Sequence, residues 1–207
     1  MEIEAARAEI IKTAKNLPRL LGNLDKYASE LREQRMRKQI AEVERELESA
    51  EQPFKSFPEI EQWKAEHALK RPRYRFLVLV GPSGLGKTQF AKSLVEKKRS
   101  LELNMASAPE PNLKEYDHEH HDLILFDECS AKKVLLQKKL FQAPLSPVAL
   151  GQSTTGCFAY NVWVHAKLLV VASNVWHHEI HELRKADADW LAANAVVFDL
   201  REPLWQH

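Results

Sequence analysis

A glycine-rich segment, Gly81-Pro-Ser-Gly-Leu-Gly-Lys-Thr88, follows the apolar run Phe76–Val80. Small residues let successive backbone N–H groups turn towards a polyphosphate, while Lys87 reaches the β- and γ-phosphates and the Thr88 hydroxyl binds Mg²⁺. A helix starting near Lys87 adds the positive end of its dipole. The segment therefore predicts a nucleotide site with these binding residues: Gly81, Pro82, Ser83, Gly84, Leu85, Gly86, Lys87, Thr88 and Gln89.

A second apolar run, Leu123–Phe126, ends in two acids, Asp127 and Glu128, about forty residues beyond the glycine-rich loop. In an open α/β sheet, ligands bind at the carboxyl ends of the strands, so both carboxylates are expected beside the nucleotide's Mg²⁺. We predict that Asp127 is a Mg²⁺ partner. Glu128 is placed to orient or deprotonate an attacking water.

A third apolar run, Leu168–Ala172, ends in Ser173 and Asn174. An asparagine amide can hydrogen-bond an attacking water or a γ-phosphate oxygen without adding a repelling negative charge. Asparagine is also common in strand-end turns, where it needs no function. Its position after the first two motifs favours a catalytic role for Asn174.

Five apolar runs predict buried strands, and helical or irregular connections separate them. Strands that alternate with helices predict an α/β fold, a three-layer α/β/α domain with a mainly parallel sheet. The runs are Phe76–Val80, Leu101–Leu103, Leu123–Phe126, Leu168–Ala172 and Val196–Leu200.

Residues 1–70 predict a helical extension, and residues 71–207 the main domain. Leu17-Pro18 and Gly22-Asn23 punctuate the extension, and the segment 53–70 is expected to be a linker with one short helix. Between Leu24 and Leu47, apolar residues recur at spacings of three and four. This stripe packs on the chain's own core or serves as an oligomerisation element.

The ordered set Gly81–Thr88, Leu123–Glu128 and Leu168–Asn174 resembles superfamily 3 helicases and the ATPase domains of viral replication initiators, relatives of the AAA+ class. The resemblance covers about residues 72 to 201 and implies a Mg²⁺-dependent ATPase. It further implies an oligomeric, helicase-like motor with ATP and Mg²⁺ as cofactors. A homo-oligomer, a hexameric ring in that family, and nucleic acid are the implied partners.

A β-hairpin insertion is predicted from two strand-like segments, Val148–Gln152 and Phe158–Val164, around the turn Ser153–Gly156. In the family, this hairpin lines the ring channel and contacts DNA. The turn here has no Lys or Arg to bind phosphates. The initiators' endonuclease combines a metal-binding histidine pair with a catalytic tyrosine, and residues 1–70 show no such arrangement, so origin nicking is not predicted.

Ring ATPases of this family use an arginine from a neighbouring subunit. Arg184 and Arg201 are the candidates after the Asn174 strand, and Arg184 is preferred because its polar segment can project outwards. Such an arginine raises hydrolysis by about 10³ to 10⁵ in related systems.

The composition excludes several classes of protein. Thirty Lys and Arg against 29 Asp and Glu leave a net charge of +1, which is not the basic field of a DNA-coating protein. Two cysteines do not predict a disulfide scaffold. We found no signal-peptide or membrane-spanning pattern, so we expect no membrane partner and an intracellular location, cytoplasmic or nuclear.

Two alternatives to the motor remain open. A nucleotide or small-molecule kinase would share the glycine-rich loop but needs an Arg-rich lid, which is not evident between residues 89 and 165. A non-enzymatic ATP-binding switch or scaffold would act through residues 1–70. Clustered histidines at 118–121 and 177–181 are expected to be solvated, Cys129 to be an inert buried thiol, and Trp163, Trp176, Trp190 and Trp205 to pack in the core.

Overall fold

The computed structural model describes residues 17–49, 54–151 and 159–205. The chain divides into two compact units, Met1–Gln52 and Pro53–His207. Within the described residues, no helix combines the length and the apolar character needed to cross a bilayer.

The first unit contains helix α1, Leu17–Ser49. Gly22 and Asn23 lie inside this helix, so the interruption predicted there is wrong. One glycine costs a helix only about 1 kcal/mol, which neighbouring helix formers offset. Four residues of the stripe are about half exposed within this unit: Tyr27, Met36, Ile40 and Val43.

The second unit is an α/β fold. Its strands are β1 Phe76–Val80, β2 Ser100–Asn104, β3 Leu123–Asp127, β4 Val148–Leu150, β5 Tyr160–Val162, β6 Leu168–Ser173 and β7 Ala195–Asp199. Its helices are α2 Pro58–Glu66, α3 Lys87–Ser93, α4 Ala131–Leu136, α5 Lys138–Phe141, α6 Trp176–His181 and α7 Lys185–Asn194.

Five strands form one sheet in the order β2-β3-β6-β1-β7, and every neighbouring pair is parallel. These are the five strands that the apolar runs predict. The predicted hairpin is also present: β4 and β5 pair antiparallel, with Val148 opposite Val162. Its turn, Ser153–Gly156, lies outside the described residues.

Alternate residues of β1, β3, β6 and β7 enter two separate hydrophobic cores, one on each face of the sheet, whereas the edge strand β2 packs Leu101 and Leu103 on one of them. Leu77 and Leu79 of β1 pack with α2 and α3 on one face, whereas Phe76 and Val78 pack with α4 to α7 and the hairpin on the other. A parallel sheet needs both faces covered in this way. The arrangement is compatible with a three-layer α/β/α fold.

Residues 54–70 belong to the second unit, so the division after Gln52 comes earlier than the predicted boundary near residue 70. Ile60 and Trp63 of α2 are buried in the core. The Trp63 indole N–H donates to the carbonyl of Arg75 at 2.7 Å. This contact joins α2 to the residue that precedes β1, so the segment is part of the domain and not a linker.

Candidate functional site

The sheet topology brings the three polar motifs to one edge. Because β6 lies between β1 and β3, Asn174 follows a strand that is flanked by the strands carrying the glycine-rich loop and the pair Asp127-Glu128. All three motifs lie at the carboxyl ends of parallel strands, where open α/β sheets bind ligands. The three motifs therefore meet at the carboxyl ends of the strands, as the sequence predicted.

The glycine-rich loop has two left-handed positions. Gly84 and Gly86 both have φ of 85°, a conformation that residues with a Cβ adopt only with strain. Gly86 directly precedes α3, and its carbonyl accepts the N–H of Phe90 at 2.9 Å. The two glycines thus let the chain turn sharply from β1 into the helix.

Lys87 is buried under the loop, with only 7% of its surface exposed. Its ammonium donates to the carbonyls of Gly81 at 2.7 Å and Pro82 at 2.8 Å, and to Oδ1 of Asn174 at 2.7 Å. An ammonium has three donors, and each has an acceptor here. Burial lowers the pKa of Lys87, and the charges of Glu128 and Asp127 oppose that shift.

Thr88 and Asp127 form the second contact between the loop and β3. The Thr88 hydroxyl donates to Oδ2 of Asp127 at 3.0 Å, and Oδ1 of Asp127 accepts the backbone N–H of Glu128 at 3.1 Å. A hydroxyl beside a carboxylate is the type of oxygen donor set that Mg²⁺ uses together with phosphate oxygens. These two residues are the ones that could hold the ion.

Asn174 connects Lys87 to Glu128. Its Nδ2 donates to both carboxylate oxygens of Glu128, at 3.2 and 3.1 Å, while its Oδ1 accepts from Lys87. Glu128 has φ of 51°, a left-handed conformation that is uncommon for a residue with a side chain. Strained backbone of this kind occurs often at functional sites.

A cavity of about 360 Å³ lies in front of these groups. Its lining combines the loop with both acids: Ser83, Gly84, Gly86, Lys87, Thr88, Gln89, Asp127 and Glu128. The predicted binding residues Gly81 and Pro82 contribute their carbonyls to Lys87, and the carbonyl of Leu85 accepts the N–H of Leu204 at 3.2 Å. The cavity can therefore hold a polyphosphate against the glycine-rich loop, with the carboxylates of Asp127 and Glu128 on its opposite side.

No protein-family model matches the chain, and a search of the curated proteins gave no significant match. The helicase-like resemblance therefore stays a prediction that three short motifs carry.

Arg184 lies apart from the residues described above. It precedes α7, its guanidinium donates to Oδ2 of Asp187 at 3.1 Å, and its side chain is 88% exposed. Arg201 is also exposed, two residues after the end of β7. Neither is among the residues that line the cavity. The exposed Arg184 side chain is accessible to a second molecule.

The other candidate side chains have structural contacts. Cys129 is buried, and burial raises the pKa of its thiol to about 12, which makes it unreactive. Among the described residues, no group of three or more His, Cys, Asp or Glu could hold a metal ion. His118 stacks on Trp163 with ring centroids 4.2 Å apart, and His177 pairs with Asp199.

The prediction that Trp163 packs in the core is wrong, since 42% of its surface is exposed. Trp163 directly follows β5, and it lies between Val162 and Val164, which are both buried and take the inward side. Trp176 is buried as expected, and Trp190 is partly buried against the core.

Two aromatic residues lie beside the loop: Phe54, which sequence reasoning missed, and Trp205, which it assigned to the core but which is only partly buried. They form an isolated bridge, and both approach Gly86. A segment that follows the last strand of a parallel sheet emerges at the ligand-binding edge, and this rule could have drawn attention to Trp205.

Proposed function

We propose that this chain binds ATP with Mg²⁺ and hydrolyses it. The observation that carries the proposal is the continuous set of hydrogen bonds from Lys87 through Asn174 to Glu128, beside the contact between Thr88 and Asp127. These contacts bring three groups into one site: an ammonium that can bind phosphate, two oxygen donors that can bind Mg²⁺, and a carboxylate that can bind water.

The residues have distinct parts in the proposed reaction. Backbone N–H groups of the loop and Lys87 bind the β- and γ-phosphates. Thr88 and Asp127 would hold Mg²⁺, which would supply positive charge to neutralise that of the phosphates. Glu128 accepts a proton from a water molecule while the water oxygen attacks the γ-phosphorus. The bond from that phosphorus to the β,γ-bridging oxygen then breaks, which releases ADP and phosphate.

Asn174 acts on the position of Glu128. Its amide donates to both oxygens of that carboxylate, which fixes the direction in which Glu128 faces the cavity. An amide is suited to this part because it binds a carboxylate without like-charge repulsion.

The proposal extends to a helicase-like motor of several subunits. Its support is the order of the three motifs along the chain and the exposure of Arg184, which leaves that side chain accessible to a neighbouring subunit. The turn of the hairpin has no basic residue, so DNA or RNA would need other contacts.

The test measures ATP hydrolysis by the purified protein with Mg²⁺, alone and with single-stranded DNA, duplex DNA or RNA, while its mass in solution is recorded. Hydrolysis that disappears in Lys87→Ala supports the ATPase. Stimulation by a polymer together with a ring-sized mass supports the motor. A monomer that binds ATP and ignores every polymer supports the switch, and absence of ATP binding contradicts the proposal.

A further inference from the structure

The segment Leu200–Trp205 lies along the glycine-rich loop. The N–H of Leu200 donates to the carbonyl of Val80 at 2.7 Å, and the N–H of Leu204 donates to that of Leu85 at 3.2 Å. From the other side, the N–H of Lys55 donates to the carbonyl of Leu204 at 2.8 Å. These backbone hydrogen bonds hold the segment against the loop.

Two glycines of the loop allow this close approach. A Cβ on Gly81 would lie 2.9 Å from Cβ of Leu200, and a Cβ on Gly86 would lie 2.8 Å from Cζ3 of Trp205. Gly86 also lines the cavity, so the indole ring abuts the outer side of a residue that forms the cavity wall. Trp205 is only partly buried, which leaves some of its ring accessible.

The strand order of the sheet determines how a nucleotide would be oriented in the cavity. Glu128 and Asn174 follow β3 and β6, which lie on one side of β1, whereas Trp205 follows β7 on the other side. A triphosphate whose γ-phosphate lies near Glu128 therefore extends its α-phosphate, ribose and base towards Trp205. That end of the ligand is the aromatic part of a nucleotide.

We propose that Trp205 is the stacking platform for the nucleotide base, with Phe54 supporting it. Phe54 packs edge-on against Phe90 of α3 with ring centroids 5.6 Å apart, and its Cε1 lies 3.8 Å from a Cβ placed on Gly86. This inference rests on the proposed function, because it assigns the base of the same nucleotide. Stacking uses the face of the ring, which every base has, so nucleoside triphosphates as a class are the ligands.

The experiment compares a ligand that has a base with one that has none. ATP and inorganic tripolyphosphate are titrated, with Mg²⁺, into the full chain and into Trp205→Ala, Trp205→Phe and Trp163→Ala. Trp163 is the matched control, since it is an exposed tryptophan on the hairpin. We expect Trp205→Ala to weaken ATP binding about tenfold with tripolyphosphate unchanged, Trp205→Phe to retain most of the affinity, and Trp163→Ala to have no effect.

Unchanged ATP affinity in Trp205→Ala overturns the inference. So does an equal loss for both ligands, since Trp205 would then only support the loop. If the wild-type chain binds neither ligand, the proposed function itself fails and the inference falls with it. Should Trp205→Ala not fold, tryptophan fluorescence decides: ATP, but not tripolyphosphate, should change the emission of the wild type more than that of Trp205→Phe.

Discussion

Asn174 joins the cation of the site to its carboxylate, since it accepts from Lys87 and donates to Glu128. We predict that Asn174→Ala lowers kcat for ATP hydrolysis about 10²-fold, because loss of one positioned donor has an effect of this size. The Kd for ATP should change much less, because the loop and Lys87 remain. Steady-state kinetics and calorimetric titration measure the two quantities.

The matched variant is Asn174→Asp, which keeps an acceptor for Lys87 but removes the donor to Glu128. Aspartate is as suitable as asparagine in a strand-end turn. Wild-type turnover in Asn174→Asp would therefore mean that residue 174 only shapes the turn, whereas the proposed function requires a loss similar to that of Asn174→Ala.

His67 gives a prediction about pH. Its ring stacks on Tyr74 at 4.9 Å, and its Nε2 is buried with no hydrogen-bond partner among the described residues. Burial lowers the pKa of His67, so the unfolded chain binds a proton at higher pH than the folded chain does. The stability from neutral His67 is complete above about pH 6.5 and decreases as the pH falls below that value.

Urea unfolding at about pH 7.5 and about pH 5.5 tests this prediction. Acidification should lower the free energy of unfolding of the wild type by up to about 1 kcal/mol more than that of His67→Phe, which keeps the ring but cannot titrate. An equal decrease in the two proteins would show that His67 is not responsible.

At the scale of the structural elements, the turn from β1 into α3 depends on two glycines with the same φ of 85°. A Cβ at Gly84 meets no atom within 4 Å, whereas a Cβ at Gly86 meets the ring of Trp205. We predict that Gly86→Ala lowers the free energy of unfolding by about 1–3 kcal/mol more than Gly84→Ala, because only Gly86→Ala adds a steric clash to the same backbone strain. Thermal and urea unfolding compare them.

Gly84→Ala is the control for Gly86→Ala, since the two substitutions impose the same strain on a backbone with φ of 85°. Equal destabilisation by the two substitutions would mean that Trp205 does not pack on Gly86, and this result would also weaken the inference about the base.

Local sequence was sufficient for the strands and for the loop. Each strand of the main sheet is a continuous apolar run because both faces of a parallel sheet are buried, and the helices that separate the runs make the parallel arrangement predictable. Asp127, Glu128 and Asn174 were predictable as neighbours for the same reason, because residues that follow parallel strands meet at one edge.

Contacts between distant segments were not predictable from local patterns. The packing of Trp63 and the bridge between Phe54 and Trp205 join segments that are far apart in sequence, so residues 54–70 resembled a linker. The approach of Trp205 to Gly86 depends on the same long-range geometry. Trp163 directly follows β5, and its exposure depends on which side of that segment faces the core, which the apolar character of Trp163 alone does not give.

At the scale of the whole molecule, the proposed motor requires contact between copies. We predict that ATP turnover per subunit rises with protein concentration and that Arg184→Ala lowers it by about 10³-fold, since a supplied arginine has effects of this size. Arg201→Ala is the matched control, an exposed arginine that also follows β6 in sequence. If the two variants have equal turnover, no arginine at position 184 acts between subunits.

The central claim is that Glu128 activates water for ATP hydrolysis, and Glu128→Gln tests it most directly. Glutamine keeps an oxygen that can accept from Asn174 but cannot take a proton from water. The measurement is a single-turnover assay with labelled ATP on Glu128→Gln and on Glu182→Gln, a control acid that pairs with Lys132. We predict that Glu128→Gln retains bound ATP and hydrolyses it at least about 10²-fold more slowly, with Glu182→Gln unchanged. Wild-type hydrolysis by Glu128→Gln would contradict the claim.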